Sequence, residues 1–373
     1  MTTQRISSPT KEDRIANAKI TQVPIINYLT IYNNCLKEVN GWLLWALEDI
    51  IIASRDGISF ADTGFIGTGE KIYDFAYGDG HYVAVGEGGL ILSSTGPDDD
   101  GNWNWEIEDP PGEFSGTYFC ATYTEGFFLI GGGTNEDPSL SVPTIHRSAN
   151  AIAWFTCTIT LSFADNGFIM DIEPGGGNIL AVGTGYDSGG ADIVRLALLS
   201  TAPDEDFEED AVTLPAITLP GGSTLDETTL FRALYVEDRF LITGVFAADF
   251  GVEGDRTYLL LYYATTGAEF EDISDRLSFD NSEGSSPPPY ASPPFPPALP
   301  NMVQHGNDFL VIHPNSILEI APIGENGPDN FREITFEKMS PKSIAVLGDN
   351  FFFLPVVGFA RSDPYIPLPP PPA

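Results

Sequence analysis

Residues 80–94 are Gly-His-Tyr-Val-Ala-Val-Gly-Glu-Gly-Gly-Leu-Ile-Leu-Ser-Ser, two apolar runs separated by glycine. The first run starts with an aromatic residue, Tyr82, and the second ends in two hydroxyl side chains. Aromatic and β-branched residues bounded by glycine are typical of strands. Gly88-Gly89 predicts a two-residue turn between them. The stretch therefore predicts a tight antiparallel hairpin.

This hairpin recurs along the chain. Each copy starts with a bulky apolar residue, followed by three mostly apolar residues and a breaker, and the lead residues are Trp42, Tyr82, Phe127, Ile179, Phe240, Phe309 and Phe351. Their spacings are 40, 45, 52, 61, 69 and 42 residues, and repeats of this period are typical of arrays and propellers. We expect the seven lead residues to occupy equivalent, buried places between neighbouring units.

The best-preserved copy predicts four strands, over residues 72–77, 81–86, 90–94 and 103–108, which would make one propeller blade. We predict an all-β fold over residues 20–363, a single β-propeller with seven four-stranded blades. Six blades remain an alternative, because the unit at residues 302–336 is weakly patterned. We also predict that residues 20–28 supply a strand to the last blade and so close the ring.

Composition limits the classes of partner. The 373-residue chain is 42% hydrophobic with 25 Phe and 14 Tyr, enough for a packed core. Its formal net charge of −36 argues against nucleic acid and anionic membranes as partners, since both need clustered Lys and Arg. No run of 18 apolar residues occurs, and the first residues lack the apolar core of a signal peptide. We expect a protein made in a host cytoplasm.

Three segments lie outside the repeats. Residues 1–19 form a polar arm with four basic residues, Arg5, Lys11, Arg14 and Lys19, against two acidic ones. This arm either folds back onto its own propeller or docks onto an adjacent acidic subunit. Residues 284–300 and 364–373 hold eight and six prolines and favour polyproline II. We predict partner contacts by the arm's four basic residues and by Pro287, Tyr290 and Phe295.

A second signature follows the hairpin. Residues 54–60 and 148–154 share a serine, then Asp56 or Asn150 two positions on, then an aromatic residue six positions on. This pattern resembles the Asp-box turn of sialidase-like and photosystem-assembly propellers, and it is similar to the propeller proteins of phage tails. The resemblance covers roughly residues 30–360. It implies a polar turn between the third and fourth strands of a blade, held by side-chain hydrogen bonds.

Residues with catalytic or metal-binding chemistry are few. Two acidic runs could supply oxygen ligands to Ca²⁺ or could be solvated loop charge, and the candidates are Asp98, Asp99, Asp100, Asp204 and Asp206. No other cofactor is predicted. The four histidines lack ligand spacing, and the pair Phe231-Arg232 resembles the early arginine motif of sialidases. Cys35, Cys120 and Cys157 show neither metal spacing nor an even disulfide framework, so we expect reduced thiols.

These observations predict a non-enzymatic protein with no catalytic residues. We expect a structural component of a tailed-virus particle, a tail or appendage propeller that contacts other virion proteins in multiple copies. A soluble assembly platform, like the photosystem-assembly propellers, is the alternative. A carbohydrate-active or glycan-binding propeller that contacts a cell-surface glycan is the third possibility.

Overall fold

The computed structural model describes residues 19–21, 34–47, 49–65, 67, 69–135, 140–162, 164, 166–186, 193–217, 224–236, 238–249, 255–264 and 267–272, and then the strands between residues 302 and 361. Regular structure in these residues is β, apart from single 3₁₀ turns at Glu87–Gly89 and Pro111–Glu113. Within this part of the chain, no helix is long and apolar enough to cross a membrane.

The strands follow each other in antiparallel sheets. After β1 (Lys19–Thr21), sheet 1 holds β2 (Asn34–Val39), β3 (Trp42–Leu47), β4 (Ile50–Ser54) and β5 (Ala61–Asp62). Sheet 2 holds β6 (Ile72–Gly78), β7 (His81–Gly86), β8 (Ile91–Ser94) and β9 (Glu106–Ile107). Sheet 3 holds β10 (Thr117–Thr124), β11 (Phe127–Gly133), β12 (Pro143–Ser148) and β13 (Phe155–Thr156).

The second half continues the pattern. Sheet 4 holds β14 (Ile159–Thr160), β15 (Asn166–Gly175), β16 (Asn178–Tyr186), β17 (Ile193–Ser200) and β18 (Phe207–Glu208), with β14 parallel to β18. Sheet 5 holds β19 (Thr224–Val236), β20 (Arg239–Asp249), β21 (Asp255–Ala264) and β22 (Glu271–Asp272). Sheet 6 holds β23 (Met302–His305), β24 (Asp308–His313), β25 (Ser316–Ile320) and β28 (Phe331–Thr335), with a ribbon of β26 (Ile323–Gly324) and β27 (Gly327–Pro328). Sheet 7 holds β29 (Pro341–Leu347), β30 (Asn350–Pro355), β31 (Phe359–Arg361) and β1.

The chain forms a β-propeller. The first strand of each sheet contacts the first strand of the next: β2 with β6, β6 with β10, β10 with β15, β15 with β19, β19 with β23, and β23 with β29. Strand β29 also contacts β2. The first strands are therefore the innermost ones, and in a propeller they line the central axis. The described sheets agree with the seven predicted repeats, although the number of blades stays a prediction.

A strand from the start of the chain completes the last sheet. Strand β1 pairs with β31 in antiparallel register, with Lys19 opposite Arg361 and Thr21 opposite Phe359. The prediction of a strand over residues 20–28 is confirmed at its start, where β1 begins one residue earlier than predicted. Residues 22–33 lie outside the described part. The pairing covers an edge of β31 that would otherwise expose unpaired amides and carbonyls.

Apolar cores lie between neighbouring sheets, because each strand places alternate side chains on opposite faces. Tyr82 packs in the core between sheets 1 and 2, and Phe240 in the core between sheets 4 and 5. Tyr82 lies on the second strand of its sheet and faces the preceding sheet. In four other sheets the equivalent position is occupied by Leu43, Phe128, Ile179 and Phe240.

The expected lead residues were therefore wrong in two units. Trp42 and Phe127 stand directly opposite Val39 and Thr124 at the hairpin turn, one position earlier than the equivalent places. Both are half-buried, while the side chain that follows Phe127, Phe128, is fully buried. A shift of one residue moves a side chain to the other face of the sheet. Side chains of Phe309 and Phe351 lie outside the described part.

The predicted two-residue turn at Gly88-Gly89 was also wrong. Glu87–Gly89 form a 3₁₀ turn, closed by hydrogen bonds from the Leu90 amide to the Glu87 carbonyl at 3.0 Å and from the Gly86 amide to the Leu90 carbonyl at 3.0 Å. The Glu87 carboxylate accepts hydrogen bonds from Lys71 at 2.9 Å and Tyr73 at 2.6 Å. These two hydrogen bonds fix the connection between β7 and β8, which is longer than the predicted two-residue turn.

Candidate interaction site

The innermost strands share one local irregularity. In five sheets the pairing with the second strand skips a residue at a corresponding place, and the residues skipped there are Tyr73, Phe119, Met170, Phe231 and Lys342. Strand β19 skips a second residue, Asp226. Such a bulge adds a residue to one strand and re-aims the side chain that follows. The first four skipped side chains pack with Phe168 in a single apolar cluster. The described residues that follow these four bulges are Asp74, Cys120, Asp171 and Arg232.

Those bulges place charged side chains among the innermost strands. We call Lys37, Asp74, Asp171, Glu173 and Arg232 the inner-strand cluster. Lys37 Nζ donates to Asp74 at 2.9 Å, and Arg232 donates to Asp171 at 3.2 Å. The carboxylates also accept backbone amides from the next sheet, Ala121 to Asp74 and Ala233 to Asp171, both at 2.9 Å. The two ion pairs therefore tie neighbouring sheets together.

Burial shapes the protonation of these groups. Burial raises the pKa of Asp171, although Arg232 and the Ala233 amide act in the opposite direction. Burial also disfavours the charge of Arg232, but the carboxylates of Asp171 and Asp74 raise its pKa above the usual range. Burial raises the pKa of the nearby Cys35 thiol to about 12, so Cys35 is a neutral thiol near pH 7 and a weak nucleophile.

The raised pKa of Glu173 predicts that the stability of the fold depends on pH. Burial and then the charge of Asp171 raise its pKa from 4.5 to about 8, while a hydrogen bond from the Tyr235 amide at 2.9 Å acts against the shift. Because the folded pKa exceeds the unfolded one, the neutral carboxyl stabilises the fold fully below about pH 4.5, and this contribution is lost as the pH rises through about 8.

We expect the wild type to lose stability relative to Glu173→Gln between pH 4.5 and pH 8. Urea denaturation of both proteins across this range measures the difference, in which the titrating groups that do not interact with Glu173 cancel. A difference in the free energy of unfolding that does not change with pH would contradict the raised pKa.

The outer edge of sheets 1 and 2 carries a groove lined by aromatic side chains. We call this groove, which is lined by Gly64, Phe65 and residues 103–107, the aromatic groove, and its volume is about 450 Å³. The rings of Trp103 and Trp105 stack at 5.6 Å with planes 8° apart. Trp103 is buried beneath the groove, whereas Ile107 is 60% exposed. The volume of the groove is within the usual range of binding sites, and its lining combines three aromatic side chains and Ile107 with the polar side chains of Asn104 and Glu106.

Neighbouring side chains hold the aromatic groove in place. The indole N–H of Trp105 donates to Thr63 Oγ1 at 3.1 Å, which fixes the ring. Trp103 packs edge-on against Trp42 at 5.4 Å and against Tyr82 at 4.9 Å. The guanidinium of Arg55 lies 4.4 Å from the centre of the Trp42 ring. This packing leaves the rings little freedom, so a ligand would order few side chains on binding.

The acidic candidates for Ca²⁺ are exposed and lie in two separate sheets. Asp98 accepts the amides of Asp100 at 3.0 Å and Asn102 at 2.9 Å, so its carboxylate closes its own turn. The amide of Asn102 is the main reason that the pKa of Asp98 is lowered. Asp204 and Asp206 lie in the connection between β17 and β18. In the described part of the chain, no three His, Cys, Asp or Glu side chains are placed to hold a metal ion.

The predicted partner contacts fall almost entirely outside the described residues. This holds for Arg5, Lys11, Arg14, Pro287, Tyr290 and Phe295, while the backbone of Lys19 starts strand β1. The boundaries of the arm and of both proline-rich segments therefore stay predictions.

The polar turns between third and fourth strands form as predicted. Asp56 accepts the amides of Ile58 at 2.7 Å and Ser59 at 2.8 Å, and Ser54 donates to Asp56 at 3.0 Å. Asn150 makes the corresponding bonds to Ile152 at 3.1 Å and Ala153 at 2.9 Å. The three cysteines are free thiols.

Neither the inner-strand cluster nor the aromatic groove was predicted from the sequence. The inner-strand cluster was detectable as a charged residue inside an otherwise apolar strand, as in Ile-Tyr-Asp74-Phe and Ile-Met-Asp171-Ile. The signal for the aromatic groove was Trp103 and Trp105, two of five tryptophans only two residues apart. Arg232 was noted for its resemblance to a sialidase motif, and the structure gives it an ion pair with Asp171 instead.

Comparison with known proteins supports the fold. No protein-family model matches the chain, and no curated protein matches its sequence. Among solved structures, YCF48 bound to D1 peptide is similar with a TM-score of 0.55 and 12% identity, over 95% of this chain and 97% of that one. A chain of the mitotic checkpoint complex is similar with a TM-score of 0.53 and 10% identity, over 98% and 99%.

A third structure, the Penicillium chrysogenum α-L-arabinanase complexed with arabinobiose, has a TM-score of 0.43 and 11% identity, over 78% of this chain and 92% of that one. At such identities the first two likenesses show the propeller fold alone.

Proposed function

We propose that this protein is a non-catalytic interaction platform, a propeller that holds a segment of a partner protein in the aromatic groove. One contrast carries the proposal. Four charged side chains of the inner-strand cluster form two ion pairs and Glu173 accepts the Tyr235 amide, with only Nε of Arg232 left without a partner among these groups, whereas the aromatic groove presents apolar surface outward at Ile107. Propellers host many functions, so the argument rests on this site and not on the fold.

Two similar structures support a protein partner. One is a propeller bound to a peptide, and the other belongs to a multiprotein complex. Aromatic residues in rigid, partly buried settings are the usual anchors of protein interfaces. The groove offers such an anchor in Trp105, which stacks on the buried Trp103, and the bond from Trp105 to Thr63 keeps it ordered before binding.

The setting of the platform is proposed from the sequence. We favour a tail or appendage of a tailed-virus particle, because the basic arm and the proline-rich segments suit fixed neighbours in an assembly. A soluble assembly platform is the alternative, and a glycan-binding propeller is the third proposal. Mass spectrometry of purified particles separates the first from the others. Changing Arg5, Lys11, Arg14 and Lys19 together to Ser should impair incorporation into particles if the arm docks there.

Site-specific photocrosslinking tests the interaction directly. A photoreactive phenylalanine analogue at position 107 places the probe in the groove, and the same analogue at position 155 is the control. Phe155 and Ile107 are exposed to a similar extent, 61% and 60%, but Phe155 lies on sheet 3, away from the groove. In the source organism we expect a discrete crosslinked partner from position 107 and none from position 155. Equal crosslinking from both positions, or none from either, would contradict the proposal.

A further inference from the structure

We infer that the partner segment held in the aromatic groove is basic, with lysine or arginine side chains beside an apolar anchor. This inference rests on the interaction function proposed above and names the chemistry of the segment that occupies the groove. The groove combines apolar surface at Trp105 and Ile107 with exposed carboxylates on its lining and on the turn that precedes it. A segment that complements both features carries positive charge next to apolar side chains.

The part of sheet 2 that forms the groove is strongly acidic. Residues 95–113, which include β9, hold seven aspartate and glutamate residues and no lysine or arginine. Across sheets 1 and 2, residues 34–113 hold sixteen acidic residues and three basic ones. Two of the three are paired with carboxylates, and the third, Arg55, lies over the Trp42 ring, outside the groove lining. The groove therefore lies in a region of negative potential, which attracts cations.

Three exposed carboxylates lie on the groove or next to it. Glu106 lines the groove, and no side chain in the described part of the chain pairs with it. Asp99 and Asp100 belong to the turn at residues 98–102, and Asp100 comes three residues before the first tryptophan of the groove, at most about 11 Å away. Asp98 uses its own carboxylate to close that turn. The charges that can meet a ligand are therefore those of Asp99, Asp100 and Glu106.

The aromatic side chains of the groove also suit a basic ligand. A guanidinium or ammonium group is attracted to the face of an indole ring, and its apolar stem covers apolar surface while the charge stays in water. Arg55 shows this arrangement nearby, 4.4 Å from the centre of the Trp42 ring. Trp105 is half-buried, and Ile107 is mostly exposed. A basic side chain therefore gains from the ring, from Ile107 and from Glu106 at the same place.

Sheet 3 shows that exposed apolar side chains alone do not make such a site. Ile152 and Phe155 are exposed there to a similar extent as Ile107. Residues 149–161 around them contain no charged residue. The two surfaces differ in their carboxylates, so the carboxylates select a basic segment at the groove.

Three labelled peptides test the chemistry of the segment. Each carries fluorescein and is titrated by anisotropy against the full chain. The first alternates arginine with leucine, the second glutamate with leucine, and the third arginine with serine. We expect saturable binding of the first peptide and at least about 10-fold weaker binding of the other two, which lack either the positive charge or the apolar anchor. Raising the salt from about 0.1 M to about 1 M should weaken binding of the first peptide, because it shortens the Debye length from about 10 Å to about 3 Å.

Matched removals of charge locate the binding site. The groove variant loses three exposed carboxylates of sheet 2, through Asp99→Asn, Asp100→Asn and Glu106→Gln. The connection variant loses three exposed carboxylates between β17 and β18, through Asp204→Asn, Glu205→Gln and Asp206→Asn. We expect the groove variant to bind the arginine–leucine peptide about 10-fold more weakly than the wild type, and the connection variant to differ by less than about 2-fold. Ile107→Ser should also weaken this binding, by about 5-fold or more.

The inference is overturned if the two variants weaken binding equally, if the glutamate–leucine peptide binds as tightly as the arginine–leucine peptide, or if no peptide binds saturably. Photocrosslinking from position 107 separates these failures from failure of the interaction function. A partner that crosslinks equally in the wild type and the groove variant would show that the interaction function holds and that the basic segment is wrong. Loss of that crosslink in the groove variant alone would support both. No crosslink even in the wild type would contradict the interaction function and, with it, this inference.

Discussion

Phe128→Ala should lower the free energy of unfolding by about 3–5 kcal/mol, whereas Phe127→Ala should lower it by about 1 kcal/mol or less. Phe128 is fully buried between sheets 2 and 3, and its ring lies 4.8 Å from that of Tyr123 and 6.5 Å from that of Trp154. Removing it leaves a cavity that surrounding strands cannot fill. Phe127 is half-buried on the opposite face, near Arg147.

The two variants are a matched pair, because they remove the same atoms from adjacent positions of one strand. Urea denaturation of the wild type and both variants gives the two differences in free energy. Equal losses, or a larger loss for Phe127→Ala, would mean that the register of β11 is wrong by one residue.

The second large effect concerns the inner-strand cluster. Arg232→Gln should cost about 3–5 kcal/mol, because it leaves the carboxylate of Asp171 among the innermost strands without its countercharge. The side chains of Arg232 and Asp171 are only 18% and 13% exposed, so water cannot fully solvate the Asp171 carboxylate once the guanidinium is removed. The double variant Asp171→Asn with Arg232→Gln should recover part of this loss, since no uncompensated charge remains.

Lys71→Gln is the control for an exposed ion pair. Lys71 and Glu87 lie 2.9 Å apart, but their side chains are 36% and 24% exposed. We expect a loss of about 1 kcal/mol or less there. Thermal or urea denaturation of the four proteins measures all these effects. If Arg232→Gln costs no more than Lys71→Gln, the inner-strand cluster does not stabilise the propeller.

Much of the fold could be predicted from the sequence because it depends on local pattern. Apolar runs and glycine turns located the strands of sheet 2 within a few residues. Ser54 and Asp56 formed the expected turn, since their hydrogen bonds are made within a few residues of chain. The strand that completes sheet 7 was also predicted, although its bounds were not.

The errors have a common physical cause. At Trp42-Leu43 and Phe127-Phe128 two bulky apolar residues follow each other, so hydrophobicity alone cannot decide which one faces the core. Pairing with the neighbouring strand decides it. The bulges at Tyr73 and Phe119 likewise depend on the partner strand and leave no local signature.

The candidate site was harder to predict, because its parts come from distant positions. Arg232 lies 61 residues from Asp171, and Trp105 lies 42 residues from Thr63. A single sequence shows each residue but not the partner that the fold brings to it. The aromatic groove and the inner-strand cluster therefore emerged only from the packing of neighbouring sheets.

Hydrogen exchange in sheet 7 tests most directly whether the chain closes as one propeller through strand β1. Ile20→Pro with Thr21→Pro should break the pairing of β1 with β31, since neighbouring strand residues point their amides in opposite directions. The amides of Phe359–Arg361 should then lose protection, while those of His81–Gly86 in sheet 2 keep it. Ile6→Pro with Ser7→Pro, placed in the arm, should change neither region. Unchanged protection in β31 after the first pair of substitutions would contradict closure by β1.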